Sequence, residues 1–303
     1  MLRAVYPVPA SAETQGATDR YIATWLQKQR REDLVVMTKV SGRSGITYLR
    51  DGGMSTCVDR KQIRESVEKS LRRLGIDEVD LLQVHWPDRY SANGARNTHT
   101  KLSALHLLSL TCRLSCVWCH QTAFGMRWFK KDKQYESVPI REQLEGLKEM
   151  VDEGKVRSVG LSNETPYGIT RFSSLAEEHG LPSVASTQNA YNLLSRIQQE
   201  WSLPETLSYC NVGFLAYSPL AGGVLSNKYA DGNRPAGSRF SLFSGYMSRY
   251  QRSMEAAQRY ADVARKHGMS PSELALKFWC AEAIRVFLIE GTALYVPLTV
   301  LSL

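Results

Sequence analysis

The chain has no apolar run long enough to cross a bilayer. Its most apolar stretch, near residues 104–114, is short and broken by His106 and Arg113, whereas a spanning helix needs about 20 apolar residues. No membrane partner is expected. It also has no basic tail and no arginine-rich run. The formal net charge is +8, but the lysines and arginines fall along amphipathic segments, as at Arg64, Lys69, Arg72 and Arg73. That pattern describes solvated helix faces and argues against a nucleic-acid partner, while a basic balance suits an anionic cofactor. No secretory signal is visible or expected either: Met1-Leu2-Arg3-Ala4-Val5-Tyr6 lacks an apolar core and runs into Pro7. Reduced thiols and a cytoplasmic location are therefore the expectation, with an organelle such as a plastid as the alternative. Of the six cysteines, Cys112, Cys116 and Cys119 stand near His120 at zinc-like spacing. A second clean ligand pair is lacking, so the cluster is read as accidental and no metal is expected.

What the chain does have is a set of short apolar segments that end in titratable residues. Val79-Asp80-Leu81-Leu82-Gln83-Val84 runs into His85-Trp86, and Pro87-Asp88 stop it. Leu34-Val35-Val36-Met37-Thr38 closes on Lys39, and Val5-Tyr6 precedes a loop stiffened by Pro7 and Pro9. Apolar runs of this kind read as strands buried on both faces of a parallel sheet. In a (β/α) barrel the C-terminal strand ends carry the chemistry. A tyrosine, a lysine and a histidine at three such ends make a proton donor, a group that tunes it and a group that orients a substrate. With 303 residues and 43% hydrophobic content, the chain is long enough for a barrel, which takes about 250 residues.

Read in order, the spacing predicts a helix over Thr18–Arg30, a strand over Leu34–Val40, and a Gly/Ser-rich loop over Ser41–Thr56. Asp59 then fits the N-cap of a helix to Leu74, with Ile63, Val67, Leu71 and Leu74 as its buried stripe and Gly75 as its stop. After the strand to His85 the pattern breaks over 91–136, a long stretch without period. It resumes with helix Ile140–Asp152, strand Val156–Leu161, helix Thr165–His179, strand Val184–Gln188, a helix around Glu200–Cys210 and strand Val212–Tyr217. A tight loop, Ser218–Gly223, and helices Ser253–Lys266 and Pro271–Cys280 follow. There is no internal repeat beyond this βα alternation, which argues for a parallel α/β sheet.

The segments VYPVP, VVMTKV, DRKQIRESVEKSLRRLGIDEVDLLQVHWPDRY, GKVRSVGLSNETPYG, STQNAYNLLSR and FLAYSPLAGGVLSNKY together resemble the aldo-keto reductases, in particular their Tas-like branch, over about residues 4–90 and 138–280. The resemblance implies an α/β fold of the (β/α)8 TIM type and reduction of a small aldehyde or ketone with NADP(H), bound extended across the C-terminal face. Matched motif by motif, it implies Tyr6 as general acid, Lys39 as its partner and His85 as the carbonyl orienter. Ser162, Asn163 and Gln188 would hold the nicotinamide carboxamide, and Tyr217 would stack on the ring. Ser218, Leu220, Gly222 and Lys228 would grip the pyrophosphate, and Trp86 would line the substrate pocket.

The sequence also departs from the family. The family's catalytic aspartate lies five residues before its tyrosine, a place held here by Met1. Against the family pattern, the first strand and first helix and most of the second strand are expected to be lacking, and the eighth-strand region after Cys280, with Arg285 in it, does not follow that pattern. The expectation is thus an incomplete barrel forming one domain over 1–303, with an atypical insert at 91–136 and a tail at 281–303. An alternative follows from the same departures: a catalytically inactive fragment that at most binds nucleotide or a protein partner.

Overall fold

The computed structural model describes residues 2–4, 16–91, 134–242, 250 and 253–278. Strands β1 (Leu2–Ala4), β2 (Val35–Val40), β3 (Val79–Val84), β4 (Val156–Ser162), β5 (Val184–Ala190) and β6 (Gly213–Tyr217) lie side by side in chain order. Every pairing is parallel. The sheet curls as half of a TIM-type barrel wall. This is the α/β barrel expected from the apolar runs, present as six strands among the described residues. Tyr6, the cysteine cluster at 112–119 with His120, and Arg285 lie outside the described residues.

Helices α1 (Ala17–Leu26), α2 (Arg60–Leu74), α3 (Ile140–Asp152) and α4 (Pro166–His179) cover the outer face of the sheet. Local chemistry sets their ends. The Asp59 carboxylate accepts the Gln62 N–H at 2.7 Å, satisfying an orphan donor of the first turn of α2. Gly75 closes that helix in the left-handed region, φ 68°, and Gly180 does the same for α4 at φ 60°. The α2 stripe of Ile63, Val67, Leu71 and Leu74 is buried, as are Leu144, Leu147 and Met150 of α3. They pack with Val36, Val40, Leu82 and Val84 of the strands into one cluster. Each such side chain contributes about 1.5–3 kcal/mol relative to exposure.

Two expectations at element ends are corrected. Helix α1 stops at Leu26 and not Arg30; the chain tightens into turns there, with Lys28 N–H on Trp25 O and Gln29 N–H on Leu26 O. The segment 200–210 is not one helix but two, α5 (Ile197–Trp201) and α6 (Leu203–Tyr209), meeting at Ser202. Pro204 has no N–H to continue the ladder, so it starts a new first turn.

At the N-terminal face, Asp80 accepts the Val36 N–H at 2.7 Å and pairs with Arg31 at 2.7 Å and Arg157 at 2.8 Å. One buried carboxylate thereby ties β2, β3 and β4 in register. The opposite end of the strands holds the site.

Candidate active site

Strand alternation decides which side chains look into the barrel. In β3, Gln83 and the strand-end His85 share the inner face. The parallel register then stacks layers across the sheet. Lys39 lies beside Gln83, Gln83 beside Gly160, and Gly160 beside Ser186. One layer higher, Ser162 lies beside Gln188. Higher still, Ala190 lies beside Tyr217. The inner face is therefore polar toward its C-terminal end.

Lys39 donates from Nζ to Gln83 Oε1 at 2.9 Å, and Gln83, fully buried, donates from Nε2 to Leu161 O at 3.2 Å. Burial pushes the Lys39 ammonium down to about 8. His85 is anchored by its own backbone N–H on Val40 O at 2.8 Å. Burial first, and the Lys39 charge second, push the imidazole down to about 3. It is neutral across the physiological range, so it can donate a hydrogen bond without carrying charge. Its ring lies 4.5 Å from the Trp86 ring, and the Trp86 Nε1–H donates to Arg43 O at 3.0 Å. Gly42 lies beneath this indole; a Cβ there would fall 2.6 Å from Trp86 Cδ1.

The end of β4 turns sharply. Asn163 takes φ 55°, a left-handed conformation that asparagine tolerates better than most residues. Its N–H donates to Gln188 O at 2.8 Å, and Ser162 Oγ donates to the same carbonyl at 2.8 Å. The Asn163 side-chain amide is engaged at both ends. Nδ2 donates to His85 O at 2.9 Å and to Ser162 Oγ at 3.2 Å, while Oδ1 accepts the Tyr217 hydroxyl at 2.7 Å. A single asparagine thus ties the ends of β3, β4 and β6. Gln188 differs: its Oε1 is buried and has no hydrogen-bond partner among the described residues. An orphaned acceptor in a buried site costs about 1–3 kcal/mol, which a ligand N–H would recover. An amide-bearing ring docked at these strand ends fits that oxygen.

The loop after β6 is wound through left-handed residues: Ser218 at φ 58°, Ala221 at 49°, Gly222 at 69° and Gly223 at 98°. The buried Asn192 holds it by donating from Nδ2 to Ser218 O at 2.9 Å. Leu220 caps the following 3-10 turn by accepting the Gly223 N–H at 2.8 Å. A Cβ on Gly223 would lie 2.7 Å from Lys228 Cε, so the lysine stem packs against that glycine. Lys228 is exposed, with Nζ 5.2 Å from the Tyr229 ring centroid. Tyr229 in turn stacks on Phe240 at 4.0 Å. A turn of successive left-handed residues beside a cation is a concavity for an anionic group.

Apart from Tyr6, the residues singled out from sequence thus lie at the C-terminal ends of neighbouring strands or in the loops that follow them. Lys39, His85, Trp86, Ser162, Asn163, Gln188 and Tyr217 belong to one region, and Ser218, Leu220, Gly222 and Lys228 to the loop leading out of it. Sequence reasoning passed over Gln83 and Asn192. Gln83 carried a signal, a buried-strand amide two places before His85 and on the same face. Asn192 had none, because its partner lies 26 positions away.

Comparison with known proteins places the chain. The aldo/keto reductase family profile matches residues 4–295. Over 279 residues the chain is 37% identical to the protein Tas of Escherichia coli (strain K12), covering 90% of this chain and 70% of Tas. It is also 37% identical over 237 residues to an aldo-keto reductase of Babesia bovis, covering 76% and 74% of the two chains. The solved structure of a glycerol dehydrogenase from Gluconobacter oxydans superposes with TM-score 0.55 at 22% identity, covering 88% of this chain; the chain spans 65% of that protein. That likeness carries the barrel fold alone, whereas the family match and the two sequence relatives carry descent. The chain belongs to the aldo/keto reductase family, on its Tas-like branch.

Proposed function

We propose that the protein is an NADP(H)-dependent reductase of a small aldehyde or ketone, acting in the cytoplasm. The observation that carries this reading is the buried Gln188 Oε1, without a hydrogen-bond partner among the described residues, beside Ser162 and Asn163 at strand ends shared with Lys39 and His85. When bound, NADP(H) supplies the hydride. Gln188 would hold the carboxamide through its open Oε1; Ser162 and Asn163, whose side chains are already bonded to Gln188 O, His85 O and the Tyr217 hydroxyl, brace the strand ends around it, and Tyr217 would back the ring. Ser218, Leu220, Gly222 and Lys228 take the pyrophosphate.

The rest of the chemistry is the chain's own. Hydride arriving at a carbonyl carbon leaves charge on oxygen, which must be met by a donor. His85, neutral because burial disfavours its cation, holds that oxygen with an N–H. Tyr6 delivers the proton, and the Lys39 cation lowers the tyrosine's proton affinity. Trp86, packed on His85, forms a wall of the carbonyl pocket.

The test is carbonyl-dependent NADPH oxidation over a panel of small aldehydes and ketones, for wild type and Tyr6→Phe. The expected result is turnover in the wild type and a loss of about 10²-fold or more in the variant, the usual weight of a general acid. Equal rates in the two proteins would overturn the assignment of Tyr6. Saturable NADPH binding without turnover of any carbonyl would overturn the reductase reading in favour of a nucleotide-binding role.

A further inference from the structure

We propose that Arg89 and Glu164 form a positioning clamp that sets the Asn163 brace; the functional part of this inference rests on the reductase reading above. Glu164 directly follows Asn163, and its side chain is 2% exposed. Arg89 follows His85 by four residues and comes from the loop after β3. The two meet in a bidentate pair, Nη1 to Oε2 at 2.8 Å and Nη2 to Oε1 at 2.5 Å. Such fork-to-fork pairs fix direction as well as distance.

The clamp is anchored on every side. Arg89 Nη2 also donates to Thr165 Oγ1 at 3.0 Å, and the Thr165 N–H donates to Glu164 Oε1 at 2.7 Å. The carboxylate therefore sits at the start of α4, where an anion is favoured by the helix dipole. Glu164 O accepts from Asn189 Nδ2 at 3.0 Å, which ties the same segment to β5. Gly168, one turn into α4, leaves the room: a Cβ there would lie 2.5 Å from Arg89 Nη2.

The consequence falls on Asn163. Its left-handed backbone is under mild strain and persists only where its surroundings over-determine it. Toward the barrel, Gln188, His85 and Tyr217 hold it; away from the barrel, the Arg89–Glu164 pair holds the next residue. The pair meets Thr165, Tyr167 and Gly168 at the start of α4, so both are positioning residues and not catalytic ones. Their role is to keep the end of β4 aligned with the end of β3, and with it the spacing between His85 and the carboxamide-holding residues.

The experiment uses the full chain as Glu164→Gln, Arg89→Met, the double variant and Arg89→Lys. Hydrogen exchange of the peptides spanning 160–168 and 84–91, followed by mass spectrometry, reads the clamp without any ligand. The expected result is exchange about tenfold faster in both peptides for each single variant. The double variant should be little worse than the poorer single, because members of one network are not additive, and Arg89→Lys should recover part of the loss. Unchanged exchange in both peptides, or strictly additive singles, overturns the clamp. NADPH titration of the same proteins reads the functional part. Affinity should fall about tenfold in the single variants, recovering partly in Arg89→Lys, while kcat at saturating NADPH falls less than threefold. Faster exchange with unchanged NADPH affinity overturns the positioning role. Wild type that binds no NADPH overturns the reductase reading, with the exchange result still deciding the clamp. Should Glu164→Gln fail to fold, Arg89→Lys carries both readouts.

Discussion

Replacing Lys39 with methionine separates the energetic burden of the site from its chemistry. Lys39 reaches Gln83 Oε1 at 2.9 Å on the inner face of the sheet, and burial pushes its ammonium from 10.5 down to about 8. That displacement corresponds to about 3 kcal/mol against the charged form. Below pH 8 the folded and unfolded chains both carry the proton, and the full cost is present. Between pH 8 and 10.5 the folded chain has released the proton while the unfolded chain keeps it, so stability rises with pH. Between pH 7 and 9.5 the gain is about 2 kcal/mol, or a rise in Tm of about 3 °C for a chain of 303 residues. Lys39→Met removes this slope. At pH 7 it also relieves the buried charge, but leaves Gln83 Oε1 without its lysine donor, which costs about 1–3 kcal/mol. The variant should therefore be as stable as wild type or about 1 kcal/mol more so, while losing reductase turnover. Thermal melts of both proteins at pH 7 and 9.5 measure the difference, and other titrating groups cancel in the comparison. Parallel pH dependence in the two proteins would refute the reasoning, since Lys39 would then be no more desolvated folded than unfolded.

Gln188→Leu should raise Tm slightly, because it removes a buried acceptor with no partner among the described residues, and should weaken NADPH binding at least about fivefold; unchanged affinity would detach Gln188 from the cofactor. On the acid side, the folded imidazole of His85 stays neutral down to about 3 while the unfolded one protonates near 6.5. Acidification from pH 7 to 5 should thus cost wild type about 2 kcal/mol that His85→Gln does not lose, as read by urea unfolding at the two pH values. Gly42→Ala should cost about 1–3 kcal/mol through the clash with Trp86, and its denaturant midpoint should fall together with a shift in tryptophan emission.

Much of the architecture is legible locally. The ends of α2 follow from Asp59 and Gly75, and those of α3 and α4 match the spacing to within a residue. These features depend on contacts within about four positions, which a sequence displays directly. The break at Ser202 shows where that reading fails: the apolar spacing continued through it, and Pro204 had to be weighed as a start and not as an interior residue. No sheet periodicity predicted that Arg89 would find Glu164, 75 positions away. Singly, each looks like an ordinary surface charge.

The site divides along the same line. That Lys39, His85, Ser162-Asn163, Gln188 and Tyr217 stand at strand ends is determined by the sequence, because the apolar runs stop there and a parallel sheet aligns its ends. Which of them touch is decided by the register of strands some 25 to 80 residues apart, and that register is held by Asp80 below and Asn163 above. Only the folded arrangement makes Asn163 an internal brace and leaves Gln188 Oε1 open. The lowered proton affinities of Lys39 and His85 have the same origin. Desolvation is a property of the neighbours that tertiary structure brings around a group, and the chain's own order does not contain it.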